Sequence, residues 1–255
     1  MQKSIEFKIL PNSVIGYYFN KDVIAMFERC PSMPKVGLVS MGGYKFFVEM
    51  YWRLYYEVDN SRNHYNVANG GIFSQFYSTY RDKVEWIDNG IRPKAIKNFR
   101  WTNSEYQKKF GISYGEQGDM LDVQVMKSGF YFTQGFYGIP LNDRSMSFSG
   151  LSYINSIVSQ YIVNLYTGVH KKEGYVNLLP MPDYATRQSD IERIVNAIID
   201  IKRKWFSLDE TNLEYHGLIA QMHIDTTIDA ALNKMQEQLT ADYARYEELV
   251  KENDD

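Results

Sequence analysis

One cysteine, Cys30, stands in 255 residues, which rules out an internal disulfide and fits a reducing compartment. With no second thiol and four histidines (His64, His170, His216 and His223), the composition argues against a dedicated zinc site. No run of about 18 apolar residues exists, so no membrane span is expected. The start, Met1-Gln2-Lys3-Ser4-Ile5-Glu6-Phe7-Lys8, has neither an apolar run nor a small-residue cleavage site and does not read as a signal peptide. These absences together point to a cytoplasmic protein. Gly42-Gly43 lacks the following Gly-Lys-Ser/Thr of a phosphate-cradling loop, and Ser156 lacks the glycine-flanked elbow of a hydrolase nucleophile. Cys30 has no evident histidine partner and reads as a structural thiol. The pair Asp82 and Glu85 around Lys83 only loosely matches a nuclease's carboxylate–lysine cluster, and surface charge is the better reading.

Hydrophobic content of 44% and charged content of 23% are those of a globular chain, with one core plus an appendage. The net charge of −3 is unevenly spread. Residues 221–255 hold nine acids and three bases, net −6, so the other 220 residues carry +3. Between Arg92 and Lys109 six bases face one acid, Glu105. A basic stripe on a neutral body suits a phosphate-contacting loop.

Residues 1–148 are rich in Tyr, Phe and Gly, in short runs such as Tyr44-Lys45-Phe46-Phe47-Val48, Lys83 to Ile87 and Gly129-Phe130-Tyr131-Phe132. Bounded by Gly, Asn and Pro, they read as short strands, with a helix at Lys21–Arg29. From Ser149 the period changes to that of a helix. Leu151, Ile154, Ile157, Val158, Tyr161, Ile162 and Leu165 share one face, and Gly168 is its expected stop. Tyr175 to Leu179 reads as extended, running into Pro180-Met181-Pro182. Ser189-Asp190-Ile191-Glu192 predicts a capping box opening a further helix. A last helix of about 25 residues is expected from Asp225 or Thr226, its narrow stripe of Ile228, Leu232, Met235, Leu239, Tyr243, Tyr246 and Val250 suited to docking on another helix. The predicted fold is α+β: a domain at 1–220, β-rich over 1–148 and helical over 149–220, then a docking helix at 221–255.

The order of local motifs resembles the C-terminal target-recognition half of adenine-N6 DNA methyltransferases of the phage-exclusion (BREX, Pgl) type. The likeness begins at Leu10-Pro11-Asn12-Ser13-Val14-Ile15-Gly16-Tyr17-Tyr18 and continues through Val36-Gly37-Leu38 to Phe46 and Trp52 to Val58. It takes in Tyr65-Asn66 with Gly70-Gly71, Phe76-Tyr77, Trp86 to Gly90, Asn103 to Tyr106, Gly111 to Tyr114 and Gly129 to Phe132. Ile154-Asn155-Ser156 followed by Asn177-Leu178-Leu179-Pro180-Met181-Pro182 is similar to an Asn-Ser and Leu-Pro-x-Pro pair found more widely, including in type I specificity subunits. Trp205 with Glu210-Thr211-Asn212-Leu213-Glu214-Tyr215 is similar to a further stretch of the family.

The resemblance implies sequence-specific double-stranded DNA recognition for an adenine-N6 methyltransferase in phage defence or restriction–modification. The chemistry is expected elsewhere, because no Asn-Pro-Pro-Tyr-like loop for a flipped adenine and no glycine-rich cofactor loop occur. No catalytic residue or metal site is assigned, and S-adenosylmethionine is expected on a catalytic partner or fused domain. Expected partners are DNA, that catalytic part and other phage-defence proteins. Arg92, Lys94, Lys97, Arg100, Lys108 and Lys109 are the phosphate candidates, and Tyr44, Lys45 and Gln75 are candidates for reaching a groove. Ser40, Gly43, Asn69 and Ser74 depart from the family's Thr, Asn, Lys and Arg, which implies altered contacts or a different site. The alternative reading is a protein-interaction module, or a type I specificity subunit that does not bind DNA independently.

Overall fold

The computed structural model describes residues 8–14, 17–33, 40–41, 48–58, 64–68, 74–97, 99, 103–133, 135–141, 144–217 and 227–255. In chain order the elements are α1 (Lys21–Arg29), β1 (Ser40–Met41), α2 (Val48–Tyr51), β2 (Trp52–Leu54), β3 (His64–Ala68), β4 (Asp82–Glu85), α3 (Ile91–Lys94) and β5 (Gly111–Gly115). There follow β6 (Gln124–Met126), β7 (Tyr131–Phe132), β8 (Phe136–Pro140), α4 (Arg144–Asn155), α5 (Ile157–Tyr166), α6 (Glu173–Val176), α7 (Gln188–Ser207) and α8 (Ile228–Asp254). The fold is α+β, as its alternating and helical periods predict.

Two four-stranded sheets organise the first part. One runs β1-β8-β5-β6 and is antiparallel throughout; the other runs β2-β4-β3-β7, with β3 and β7 parallel. The first sheet packs on the helices. Its Ile112, Tyr114, Tyr137 and Ile139 join Leu151, Ile154, Ile162, Ile194, Val195 and Ile198 in the main core. The second sheet has a smaller core of its own: Tyr51, Val67, Val84, Trp86 and Tyr131, with Trp52, Tyr65, Ile96 and Phe99 against it.

Local sequence explains the ends. Asn20 caps α1 by accepting from Asp22 N at 2.6 Å, as a short polar side chain does at a helix start. The helix expected over 151–165 is two helices. Ser156 breaks it, accepting from Ser159 N to cap α5, while its own hydroxyl donates to Tyr153 O at 2.7 Å. The expected extended piece at 175–179 instead begins as the helical turn α6, whose carbonyls are taken up by Asn177 and Leu178. The expected capping box at Ser189 does not form. A 3-10 turn at Ala185–Arg187 feeds α7 directly from Gln188, and Glu192 accepts instead from Gln188 Nε2 at 3.2 Å.

Beyond the α6 turn, Met33 N donates to Leu179 O and Met181 N to Pro31 O, so 31–33 and 179–181 are laced together. The last helix, 27 residues long, begins behind a Thr227 cap. Its C-terminal half packs on α7: Trp205 meets Tyr243 and Tyr246, Leu249 is fully buried in the main core, and Arg193 pairs with Glu252.

Candidate nucleic-acid interface

The basic stretch folds against the small core of the second sheet. Trp86 leaves β4 and the chain turns through Asp88, Asn89 and Gly90, all at positive φ (49°, 58° and 75°), before entering α3. Gly90 is required twice over. A Cβ there would stand 2.5 Å from the Trp86 indole, and the left-handed backbone disfavours any side chain. Gly90→Ala is therefore expected to destabilise the fold by roughly 2 kcal/mol or more, read from its denaturation midpoint. A loss of a few tenths would show that the turn relaxes freely.

Aromatic rings from four distant segments form the floor. Tyr65 meets Tyr131 edge-on at 5.4 Å, Tyr131 meets Trp86 at 5.2 Å, and Trp86 meets Phe99 at 6.4 Å. The cations stand over this floor. Lys108 Nζ lies 3.9 Å from the Tyr65 centroid and 4.8 Å from that of Tyr131, Lys94 lies 5.6 Å over Trp86, and Arg92 lies 6.0 Å over Tyr51. Lys109 stands 5.5 Å over Tyr106 on the neighbouring small core.

Each such contact is worth about 0.5–1 kcal/mol at a wet site, enough to hold an ammonium in place without cancelling its charge. Lys108 is further fixed by its backbone, at φ 64°, whose N–H donates to Phe130 O and whose carbonyl accepts from Gly129 N. Burial pushes the Tyr131 hydroxyl above its ordinary value, with Lys108 opposing.

The predicted residues are not all brought together. Arg92, Lys94 and Lys108 gather round the small core, and Lys97 is exposed just after α3. Arg92 is partly neutralised, its Nη1 lying 3.2 Å from Glu85. Gln75 belongs to a different region, half-buried beside Phe76 and Tyr77 of the main core. Phe76 and Tyr77 are buried at 1% and 0% exposure, so neither offers a stacking platform. Tyr44, Lys45 and Arg100 lie outside the described residues.

Two of the motifs that carry the resemblance serve as internal braces. Asn155 donates to Val123 O and Leu151 O and accepts from Val123 N, while Gln160 does the same for Leu121. The 209–215 turn is bolted to the 74–80 segment through Thr79 with Asn212 and through Tyr77, Lys127 and Glu214. Arg203 also faces the Tyr77 ring, 5.3 Å from its centroid. Burial, then Glu214, drives the Tyr77 hydroxyl far above its ordinary value, so it keeps its proton and donates it to the Glu214 carboxylate. Gly111-Ile112-Ser113-Tyr114-Gly115 has the spacing of a nucleophile elbow but lies wholly inside β5, with Ser113 fully buried beside the Tyr80 hydroxyl.

Lys202 was also missed. It is 7% exposed, its Nζ 2.7 Å from Ser74 Oγ and 5.3 Å from the centre of the Tyr246 ring, and burial pushes its ammonium down to about 8. Among the described residues no group of His, Cys, Asp and Glu could hold a metal ion, and no helix is long and apolar enough to cross a membrane. No protein-family model matches the chain, and no curated protein matches it as a relative.

Proposed function

We propose that this chain recognises double-stranded DNA sequence for an adenine-N6 DNA methyltransferase of a phage-defence or restriction–modification system, and that it leaves methyl transfer, with S-adenosylmethionine, to a catalytic partner or fused domain. The observation that carries the reading is the set of bases from the 92–109 stretch poised over aromatic rings of one small core, Lys94 on Trp86 and Lys108 on Tyr65 and Tyr131. Bases fixed on rings keep their charge, lose less freedom on meeting phosphate, and form a stripe that can follow a backbone. The motif order read from the sequence supports the methyltransferase part of the proposal, and the net positive charge outside residues 221–255 supports the nucleic-acid part.

On this reading phosphate contacts come from Arg92, Lys94, Lys97, Arg100, Lys108 and Lys109, and base contacts come from the β-rich part, with Tyr44, Lys45 and Gln75 as candidates. Removing one phosphate contact releases about one counterion fewer. Each of Lys94→Ala, Lys97→Ala and Lys108→Ala is therefore expected to weaken all duplexes alike and flatten the slope of log K against log salt by about one unit. Fluorescence anisotropy across a salt series measures it. Unchanged slopes in all three variants would remove DNA from this face.

A further inference from the structure

Beside the break between α4 and α5 lies a cavity of about 230 Å³. Four parts of the chain line it: α1, that break, the turn leading into α7, and the end of α8. Its walls are mostly apolar, from Met26, Val158, Ile191 and Ile194 with the rings of Tyr153 and Tyr184, whose centroids stand 6.2 Å apart. A volume below the roughly 300–1,000 Å³ of drug-sized sites restricts the occupant to a small molecule. Two polar atoms of the lining residues are unused. Tyr153 is 2% exposed, and its hydroxyl has no hydrogen-bond partner among the described residues. Burial pushes that hydroxyl up, so it keeps its proton and can donate. Asn253 gives its amide to Ser152 O at 3.1 Å, while its Oδ1 is buried without a partner among the described residues. An unpaired buried polar atom is costly, and two around one cavity point to an occupant that accepts from one and donates to the other.

The charges on the lining follow the same division. Arg187, exposed at the mouth, makes no ion pair among the described residues. At the end of α8, Glu252 pairs with Arg193 and Asp254 accepts from Ile157 N at 2.9 Å, and a carboxylate accepts more than one such bond. The lining therefore offers donors from Tyr153 and Arg187, and acceptors from the end of α8, around an apolar body. A carboxylate alone would leave Asn253 unpaired, and an amine alone would leave Tyr153 unpaired. We propose that this cavity binds a free α-amino acid with an apolar side chain. Its carboxylate accepts from Tyr153 and Arg187, its ammonium donates to Asn253 Oδ1 and the α8 carboxylates, and its side chain lies among Met26, Ile191 and Ile194. This inference is independent of DNA binding by the 92–109 face.

The test titrates the full chain with L-phenylalanine, with phenylpropionate, which lacks the ammonium, and with phenethylamine, which lacks the carboxylate. Calorimetry is expected to give phenylalanine a Kd on the order of 0.1–1 mM, and each truncated probe a Kd about tenfold weaker or more. Arg187→Gln changes an exposed side chain and should weaken phenylalanine and phenylpropionate about tenfold without weakening phenethylamine. Tyr153→Phe removes only the unpaired hydroxyl, so it should leave the thermal midpoint of the free chain no lower while weakening phenylalanine about fivefold or more. Should Tyr153→Phe fail to fold, the Arg187 variant still decides. No binding of phenylalanine at about 10 mM would leave the two unpaired atoms to water and overturn the proposal. So would equal affinity for the three probes, or an unchanged affinity for phenylalanine in either folded variant.

Discussion

Asn155→Leu is expected to lower stability by about 2–4 kcal/mol, although leucine matches asparagine in the number and branching of its side-chain atoms and suits the apolar surroundings better. The segment 121–123 enters the core beside the first sheet with no strand along this side of it. Side chains from the two helices take the place of that strand. Asn155 accepts from Val123 N at 3.0 Å and donates to Val123 O at 2.8 Å, and Gln160 accepts from Leu121 N at 2.8 Å and donates to Leu121 O at 2.9 Å. Leu121 and Val123 are fully buried, so water cannot replace a lost partner without opening the core.

Leucine at 155 leaves the buried Val123 N–H unpaired, at about 1–3 kcal/mol, and takes one of two donors from Val123 O, which keeps Phe76 N at 2.7 Å. Gln160→Leu should behave alike. Since both side chains hold the same three residues, the double variant should lose less than the sum of the singles. Urea unfolding gives the stability, and hydrogen exchange at the Val123 amide gives the local opening. A loss under about 1 kcal/mol with unchanged protection at Val123 would mean that the amide pairing contributes little.

What the sequence revealed follows the range of the forces involved. Helices over 21–29, 188–207 and 228–254 are announced by an apolar period that local geometry imposes, and their observed bounds fall close to the predicted ones. The turn at Asn89-Gly90 is equally local, since positive φ is the conformation those residues tolerate best.

The break at Ser156 is invisible in that period, because Ile154, Ile157 and Val158 keep helical spacing straight through it. Its causes are a hydroxyl cap and the hold of Asn155 on residue 123, which is remote in sequence. For the same reason the basic stretch was legible as charge but not as a surface. The rings under it come from positions 51, 65, 86 and 131, and only the parallel pairing of β3 with β7 brings Tyr65 and Tyr131 together. Lys202 could have been found. It continues the stripe of Ile191, Val195 and Ile198 at spacings of three and four, where an apolar residue is expected.

Lys202→Met is expected to stabilise the protein near neutral pH, and the gain should shrink as pH rises from 8 to 10.5. Burial pushes the Lys202 ammonium down to about 8 from the 10.5 it has in the unfolded chain, with Asp122 opposing that shift. Below pH 8 both states carry the proton, so the folded state bears the full cost of a buried charge, about 3 kcal/mol. Between 8 and 10.5 the unfolded state holds more protons than the folded one. Stability therefore rises with pH across that window, at up to about 1.4 kcal/mol per unit.

Methionine removes the charge and keeps the stem that packs against Tyr246, but it also costs the contact with Ser74 and leaves Asp122, itself pushed up by burial, without its cation. The net gain at pH 7 should be about 2 kcal/mol. The buried tyrosines act with the opposite sign. Their hydroxyls are held above 10, so from pH 10 upward the unfolded state loses protons first and stability falls. Because they are common to both proteins, they cancel in the difference between wild type and Lys202→Met. Urea titrations at half-unit steps from pH 6.5 to 10.5 measure that difference. It should be flat up to about pH 8 and then decline; a difference that stays constant across the range, or a destabilised variant at pH 7, would show that Lys202 is held as a favourable ion and not a costly one.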